Sequence, residues 1–145
     1  HSVNVRGFSS VPARLAARLD GHRDGVGGIA FSPDMRLMAS ASVDNTAKLW
    51  RVSDWTEIAT LSGHREGVKT GAFSPDGRTF VTGCADGTIK FWHVGTRREL
   101  ASIKHELAAW FLAFSPTGNV LACAPGSGDL WLMRVPSLAE INPRE

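Results

Sequence analysis

One pattern of 42 residues, written twice without a gap, constrains this chain more than any other property. The first copy runs from Leu19 to Thr60 and the second from Leu61 to Ser102, and nineteen of the 42 aligned positions are identical. Gly21-His22 matches Gly63-His64, Phe31-Ser32-Pro33-Asp34 matches Phe73-Ser74-Pro75-Asp76, Asp44 matches Asp86, and Trp50 matches Trp92. A repeat of this length is one supersecondary unit that cannot bury its apolar face alone, so neighbouring copies must cover one another. The chain is therefore expected to fold as an array of like units, stacked or radial.

Inside each copy the apolar runs have strand length. Val26 to Phe31, Leu37 to Ser42, Ala47 to Val52 and Glu57 to Leu61 are separated by turn residues at Ser32-Pro33-Asp34, Asp44-Asn45 and Ser53-Asp54. The second copy gives Val68 to Phe73, Thr79 to Cys84, Thr88 to Val94 and Glu99 to Ile103. No stretch holds a 3.6-residue period over ten positions, so the prediction is an all-β chain of four-stranded antiparallel meanders.

A third copy follows at a spacing of 41, and it is degraded. Phe114-Ser115-Pro116 repeats the first turn and Leu130 to Val135 the third strand, but Ser127 replaces the aspartate and Met133 the tryptophan. Setting Phe8 against Trp50 makes residues 1–18 the last two strands of an earlier unit, with Ala13 to Leu19 as its last strand. The expected organisation is a partial unit over 1–18, full units over 19–60 and 61–102, and a degenerate unit over 103–145.

Composition narrows the function classes. A formal net charge of +2 is too small to imply a nucleic-acid or membrane partner, and neither is expected. No apolar run reaches 18 residues, and no signal-peptide pattern is present. The chain opens on His1-Ser2, which reads as a tag remnant, a cleavage product or an excised piece of something longer. Cys84 and Cys123 lack a CxxC partner and read as reduced strand residues of a cytoplasmic protein. There is no P-loop, no GxGxxG after a strand and no zinc-type spacing, so neither cofactor nor metal is expected.

The glycine-histidine pairs, the Ala-Phe-Ser-Pro-Asp turns and the strands Thr46 to Trp50 and Thr88 to Trp92 resemble the WD-repeat β-propeller family. That family's aspartate after the tryptophan is absent, and Arg51 and His93 stand in its place. The resemblance implies blades packed radially around a central channel. At 145 residues the chain supplies an incomplete ring of about three blades. It also implies two structural tetrads, His22, Ser40, Asp44 and Trp50, then His64, Thr82, Asp86 and Trp92, linking imidazole to turn carboxylate and hydroxyl, and hydroxyl to indole.

Ser, His and Asp together imitate a catalytic triad. Here the set occurs twice at identical spacing, the indole takes up the hydroxyl, and no nucleophile elbow is visible, so the sets read as scaffold and not as an active site. In the third unit His105 persists, but Cys123, Ser127 and Met133 replace its partners, and apolar packing is expected to hold that blade.

The resemblance also implies a contact face at Gly25, Gly27 and Val43, at Gly67, Lys69 and Ala85, and at Ala108, Trp110 and Gly126. Of these, Lys69 and Trp110 carry a long or aromatic side chain of the kind that anchors interfaces. Trp110 also fits an inter-blade core position, and Lys69 an ordinary solvated lysine. Arg23, Asp24, Arg65 and Glu66 stand in the adjoining loops as a polar rim.

The expected function is a non-catalytic protein–protein interaction scaffold. Its partners are proteins, and either further blades of a larger propeller or a second copy of the chain complete the ring. One alternative is a self-assembling fragment that closes a ring as a homodimer. The other is a propeller enzyme with a small-molecule site in the channel, against which the Val, Ile, Gly and Ala of the first strands count.

Overall fold

Turn chemistry fixes where the strands reverse. In the first unit Asp34 Oδ1 accepts from Ser32 Oγ at 2.7 Å and from the Arg36 N–H at 3.0 Å, while Ser32 Oγ accepts from the Leu37 N–H at 2.9 Å. Ser74 and Asp76 repeat these bonds at 2.6, 3.0 and 3.1 Å. In the third unit Asn119 does the work of the missing acid, its Oδ1 accepting from Thr117 Oγ1 at 2.6 Å and Ser115 Oγ at 3.2 Å. The same turn position is left-handed in all three units, at Met35, Gly77 and Gly118.

The computed structural model describes residues 2–3, 13–136 and 140. Strands β3 (Val26–Phe31), β4 (Leu37–Ser42), β5 (Ala47–Arg51) and β6 (Glu57–Leu61) form one antiparallel meander. β7 (Val68–Phe73), β8 (Thr79–Cys84), β9 (Thr88–His93) and β10 (Glu99–Lys104) form the second, and β11 (Phe111–Phe114), β12 (Val120–Ala124) and β13 (Trp131–Arg134) a third sheet of three strands. The described residues are thus all-β blades. Identical bulges interrupt β3 between Val26 and Gly28 and β7 between Val68 and Thr70, so the repeat extends to backbone irregularities.

The N-terminal segment departs from expectation. β1 (Ser2–Val3) pairs with β2 (Ala13–Arg14), and residues 15–19 carry no strand, so the last strand expected from Ala13 to Leu19 is two residues long. Two strands alone gain too few cross-strand contacts to lengthen. Phe8, the anchor of that expectation, lies outside the described residues, as do 137–139 and 141–145 of the third unit.

Period-two alternation places the core. Along β8, Phe80 and Thr82 point to one face, and Val81 and Gly83 to the other, and all six residues of the strand are buried. Phe80 packs at 4.7 Å between centroids on Phe73, and with Trp92 they close against Ala39, Ala47, Leu49 and Leu61 of the first blade. On the far face Val81, Ile89 and Phe91 meet Leu112, Leu121 and Cys123 of the third blade. The second blade is therefore covered on both sides.

The outer blades are not. Ile29 on β3 is 66% exposed and Phe31 beside it 47%, while Phe111 and Leu132 on the far side of the third blade are 71% and 70% exposed. Apolar side chains aligned on one sheet face are normally buried by a second layer.

Candidate functional site

The first tetrad forms in full. His22 Nδ1 donates to Asp44 Oδ2 at 2.9 Å, Ser40 Oγ donates to His22 Nε2 at 2.6 Å, and Trp50 Nε1 donates to Ser40 Oγ at 2.9 Å. The carboxylate sets the tautomer: an Nδ1–H facing an acceptor leaves Nε2 to accept, so the hydroxyl proton points at the ring. Asp44 Oδ2 also takes the Arg23 N–H, and its Oδ1 takes the N–H and hydroxyl of Thr46. Burial works against the ionised carboxyl, but these bonds from Thr46, Arg23 and His22 outweigh it and hold Asp44 well below the usual carboxylate range.

The second tetrad does not close, which corrects the sequence expectation. His64 Nε2 meets Thr82 Oγ1 at 2.6 Å and Trp92 Nε1 donates to the same oxygen at 2.9 Å, but His64 Nδ1 is buried without a partner. Asp86 turns instead to the Thr88 N–H at 2.9 Å and to Lys104 Nζ at 3.5 Å. The cause is local. Lys104 stands 42 residues after Ser62, so Asp86 has a cation that Asp44 lacks.

Burial drives the His64 imidazole down to about 4, and the Lys90 ammonium adds to this against Asp86 and Glu99. An unfolded imidazole titrates near 6.5. Between those values the unfolded chain binds a proton that the folded chain refuses, so this contribution is complete above about pH 6.5 and is lost as the pH falls toward 4. The loss amounts to about 3 kcal/mol. Thermal melts across that window should steepen for the parent chain and flatten for His64→Gln; equal slopes would contradict the assignment.

In the third unit the set is gone. His105 Nδ1 accepts from the Leu107 N–H at 3.0 Å, and its ring stands edge-on to Trp131 at 3.9 Å between centroids. Cys123 packs in the apolar layer, where burial raises its thiol pKa, as it does for Cys84.

The implied contact face is brought together by the backbone. The Val43 N–H donates to the Gly25 carbonyl at 2.9 Å, Ala85 to Gly67 at 2.9 Å, and Trp110 to Ala124 at 3.2 Å. Lys69 and Trp110 sit on adjacent blades and touch: the ammonium lies 5.1 Å from the indole centroid. Trp110 is 45% exposed, so it is a half-open ring carrying a cation and not a core aromatic. Arg23, Asp24, Arg65 and Glu66 are exposed, and Asp24 Oδ1 caps the Gly25 N–H at 2.7 Å. The Arg65 carbonyl accepts from Asn45 Nδ2 at 3.4 Å across the blade boundary.

Sequence reasoning passed over one repeated feature. Lys48 pairs with Glu57 on β5 and β6, and Lys90 with Glu99 on β9 and β10. These four residues are identical in the two copies, which was the available signal. Lys48, Glu57 and Trp50 meet at Gly21, and Lys90, Glu99 and Trp92 at Gly63, beside the histidines of the two tetrads.

Chemically, the Ser40 and Thr82 hydroxyls and the His22 imidazole are spent on internal bonds, while His64 bonds through Nε2 alone and keeps Nδ1 buried. Among the described residues, no group of three or more His, Cys, Asp or Glu side chains is placed to hold a metal ion. Among the described residues, no helix is long and apolar enough to cross a membrane.

Residues 13–51 and 55–93, together just over half of the chain, match the family model described as WD domain, G-beta repeat. Over 44 residues the chain is 50% identical to ribosome assembly protein 4 of Saccharomyces cerevisiae, covering 30% of this chain and 8% of that protein. Over 58 residues it is 34% identical to transcription initiation factor TFIID subunit 5 of Drosophila melanogaster, covering 40% of this chain and 8% of that one. Over 39 residues it is 46% identical to striatin-4 of Homo sapiens, covering 27% and 5%. The chain thus spans less than a tenth of the length of these relatives.

Proposed function

The chain belongs to the WD-domain, G-beta-repeat family, and from that premise we propose that it is a non-catalytic scaffold that binds other proteins through its loop rim and its two open blade faces. One observation carries the reading: the triad-like residues are spent on internal bonds, while Ile29, Phe31, Phe111 and Leu132 lie bare. Apolar faces of this kind are covered in an assembled protein. The relatives' names, a ribosome assembly protein and a subunit of a transcription initiation factor, support a role in assemblies. Further blades of a larger propeller are the favoured cover, in a cytoplasmic protein.

The Lys69–Trp110 pair is the proposed anchor of the rim. It offers an aromatic ring and a cation, with Gly27 against the Lys69 backbone and Gly126 against the indole, small residues that leave room for a partner's backbone.

Mutation separates scaffold from catalyst. Asp44→Asn should cost about 1–3 kcal/mol, because it weakens bonds to His22, Arg23 and Thr46 together. Asp86→Asn should cost less, since His64 makes no bond to it. Equal melting temperatures with loss of an ester-hydrolysing activity would point to an enzyme instead.

A second reading rests on the same bare faces. Two copies that cover each other's outer blades would form a closed homodimer, and solution mass distinguishes it.

A further inference from the structure

The third blade has an open edge. Among the described residues its sheet holds β11, β12 and β13, whereas each of the first two blades carries a fourth strand. β13 is paired to β12 on one side, and Leu130, Trp131 and Leu132 are exposed along it. A strand edge with unpaired backbone groups is a template for a further strand.

A fourth strand without a blade stands elsewhere in the chain. Leu15 to Leu19 lie one full period before Glu57 to Leu61, which form β6. The family match begins at residue 13 and again at residue 55, so each matched copy opens on fourth-strand sequence. In the structure residues 15–19 carry no strand, and Leu15 is exposed. Val26 follows Leu19 at the distance at which Val68 follows Leu61, so this segment is tied to β3 as β6 is tied to β7. A first blade seated on a third as the second sits on the first would therefore bring its own residues 15–19 to the β13 edge.

The side chains agree with that register. In the full blades Leu49 stands opposite Ala59 and Phe91 opposite Ala101, a large apolar residue against alanine. Lys48 and Lys90 stand opposite Thr60 and Ser102 and pair with Glu57 and Glu99. The same register on β13 sets Leu132 opposite Ala17, Leu130 opposite Leu19 and Trp131 opposite Arg18. Both halves of the ion pair have changed together. Trp131 stands where the lysine stood, and Leu15 where the glutamate stood. An apolar pair thus replaces a charged one, and the Arg18 guanidinium gains an indole face in exchange for a weak, exposed pair with Asp20. The residues one period after Glu99 to Ser102 match less well. They read Glu140, Ile141, Asn142 and Pro143, which sets a glutamate where the lysine is lost and puts asparagine and proline, both poor strand formers, in the middle.

We infer that residues 15–19 of a second copy complete the third blade as its fourth strand, and that the exchange is mutual. The inference rests on the homodimer reading above and names the segment that joins the copies. Mutual exchange is an isologous arrangement that leaves neither the β13 edge nor the spare strand unpaired. It also brings the bare face of the first blade, with Ile29 and Phe31, onto that of the third, with Phe111 and Leu132. Two arcs of three blades give a ring within the usual range of about four to eight.

The test is light scattering across a dilution series on the whole chain and four variants. The parent should reach twice 15.6 kDa. Leu15→Glu and Trp131→Lys each leave a charge facing an apolar side chain and should each weaken the dimer about tenfold or more. The double variant recreates the ion pair of the full blades and should recover to within about threefold of the parent. Damage to the fold of either segment would not be repaired in this way. Ala17→Pro keeps the test readable if Trp131→Lys unfolds. It lies outside the strands of the blades, so the melting temperature of the dilute chain should hold while the dimer weakens about tenfold. A dimer insensitive to all four variants would overturn strand exchange and leave a homodimer through the blade faces standing. Single losses without recovery in the double variant would overturn the exchange as well. A monomer at every concentration would overturn both the exchange and the homodimer.

Discussion

Gly87→Asn is expected to destabilise the chain by about 3 kcal/mol or more and to lower its melting temperature by roughly 10 °C. A Cβ built on Gly87 would lie 2.0 Å from the His105 carbonyl oxygen and 2.8 Å from that of Leu107. Neither atom can retreat, because the His105 N–H is itself bonded to the Gly87 carbonyl at 2.9 Å. The choice of asparagine separates two causes. Its counterpart in the first unit is Asn45, which holds φ 75° against the φ 89° of Gly87, so a left-handed asparagine is already accepted at this turn. What differs is the room beyond it. Thermal denaturation of Gly87→Asn beside Asn45→Gly should give a large loss for the first and a change within about 1 kcal/mol for the second. Similar small effects would mean that the second and third blades do not approach each other as described.

Phe80→Ala should cost about 3–5 kcal/mol. The ring is 1% exposed, packs on Phe73, and fills the space above Gly71, where a Cβ would come within 2.4 Å of it. Its removal leaves a cavity between the first two blades that the bulged, glycine-bearing β7 cannot refill. Leu15→Ala, at a side chain 71% exposed and outside the blades, is the control and, at dilutions where single copies prevail, should change stability by well under 1 kcal/mol. Comparable losses would show that the Phe80 effect does not come from core packing.

Much of this was legible in the sequence because period and turn chemistry are local. Ser-Pro-Asp turns and alternating apolar residues place the strands of the two full blades to within a residue at their ends. The first tetrad was implied by the family resemblance that these residues carry, and its bonds are present. The second shows where that inference stops, since residue types fix which donors and acceptors are available and not which way a carboxylate turns. Lys104 comes from outside the repeated pattern and supplies a partner for Asp86 that no alignment of the two copies contains. The Lys69–Trp110 contact was hidden for a related reason: its halves belong to different repeats, and the period says nothing of what meets across a blade boundary. The N-terminal segment matched a blade's last strands in length, yet its described pairing is limited to two residues on each side.

The claim that the described arc works through faces awaiting a cover is tested most directly by molar mass in solution, from light scattering across a dilution series. The chain should run above 15.6 kDa, and Phe111→Asp with Leu132→Asp should return it to that mass while β structure is kept. A folded, monodisperse monomer of 15.6 kDa at every concentration would contradict it.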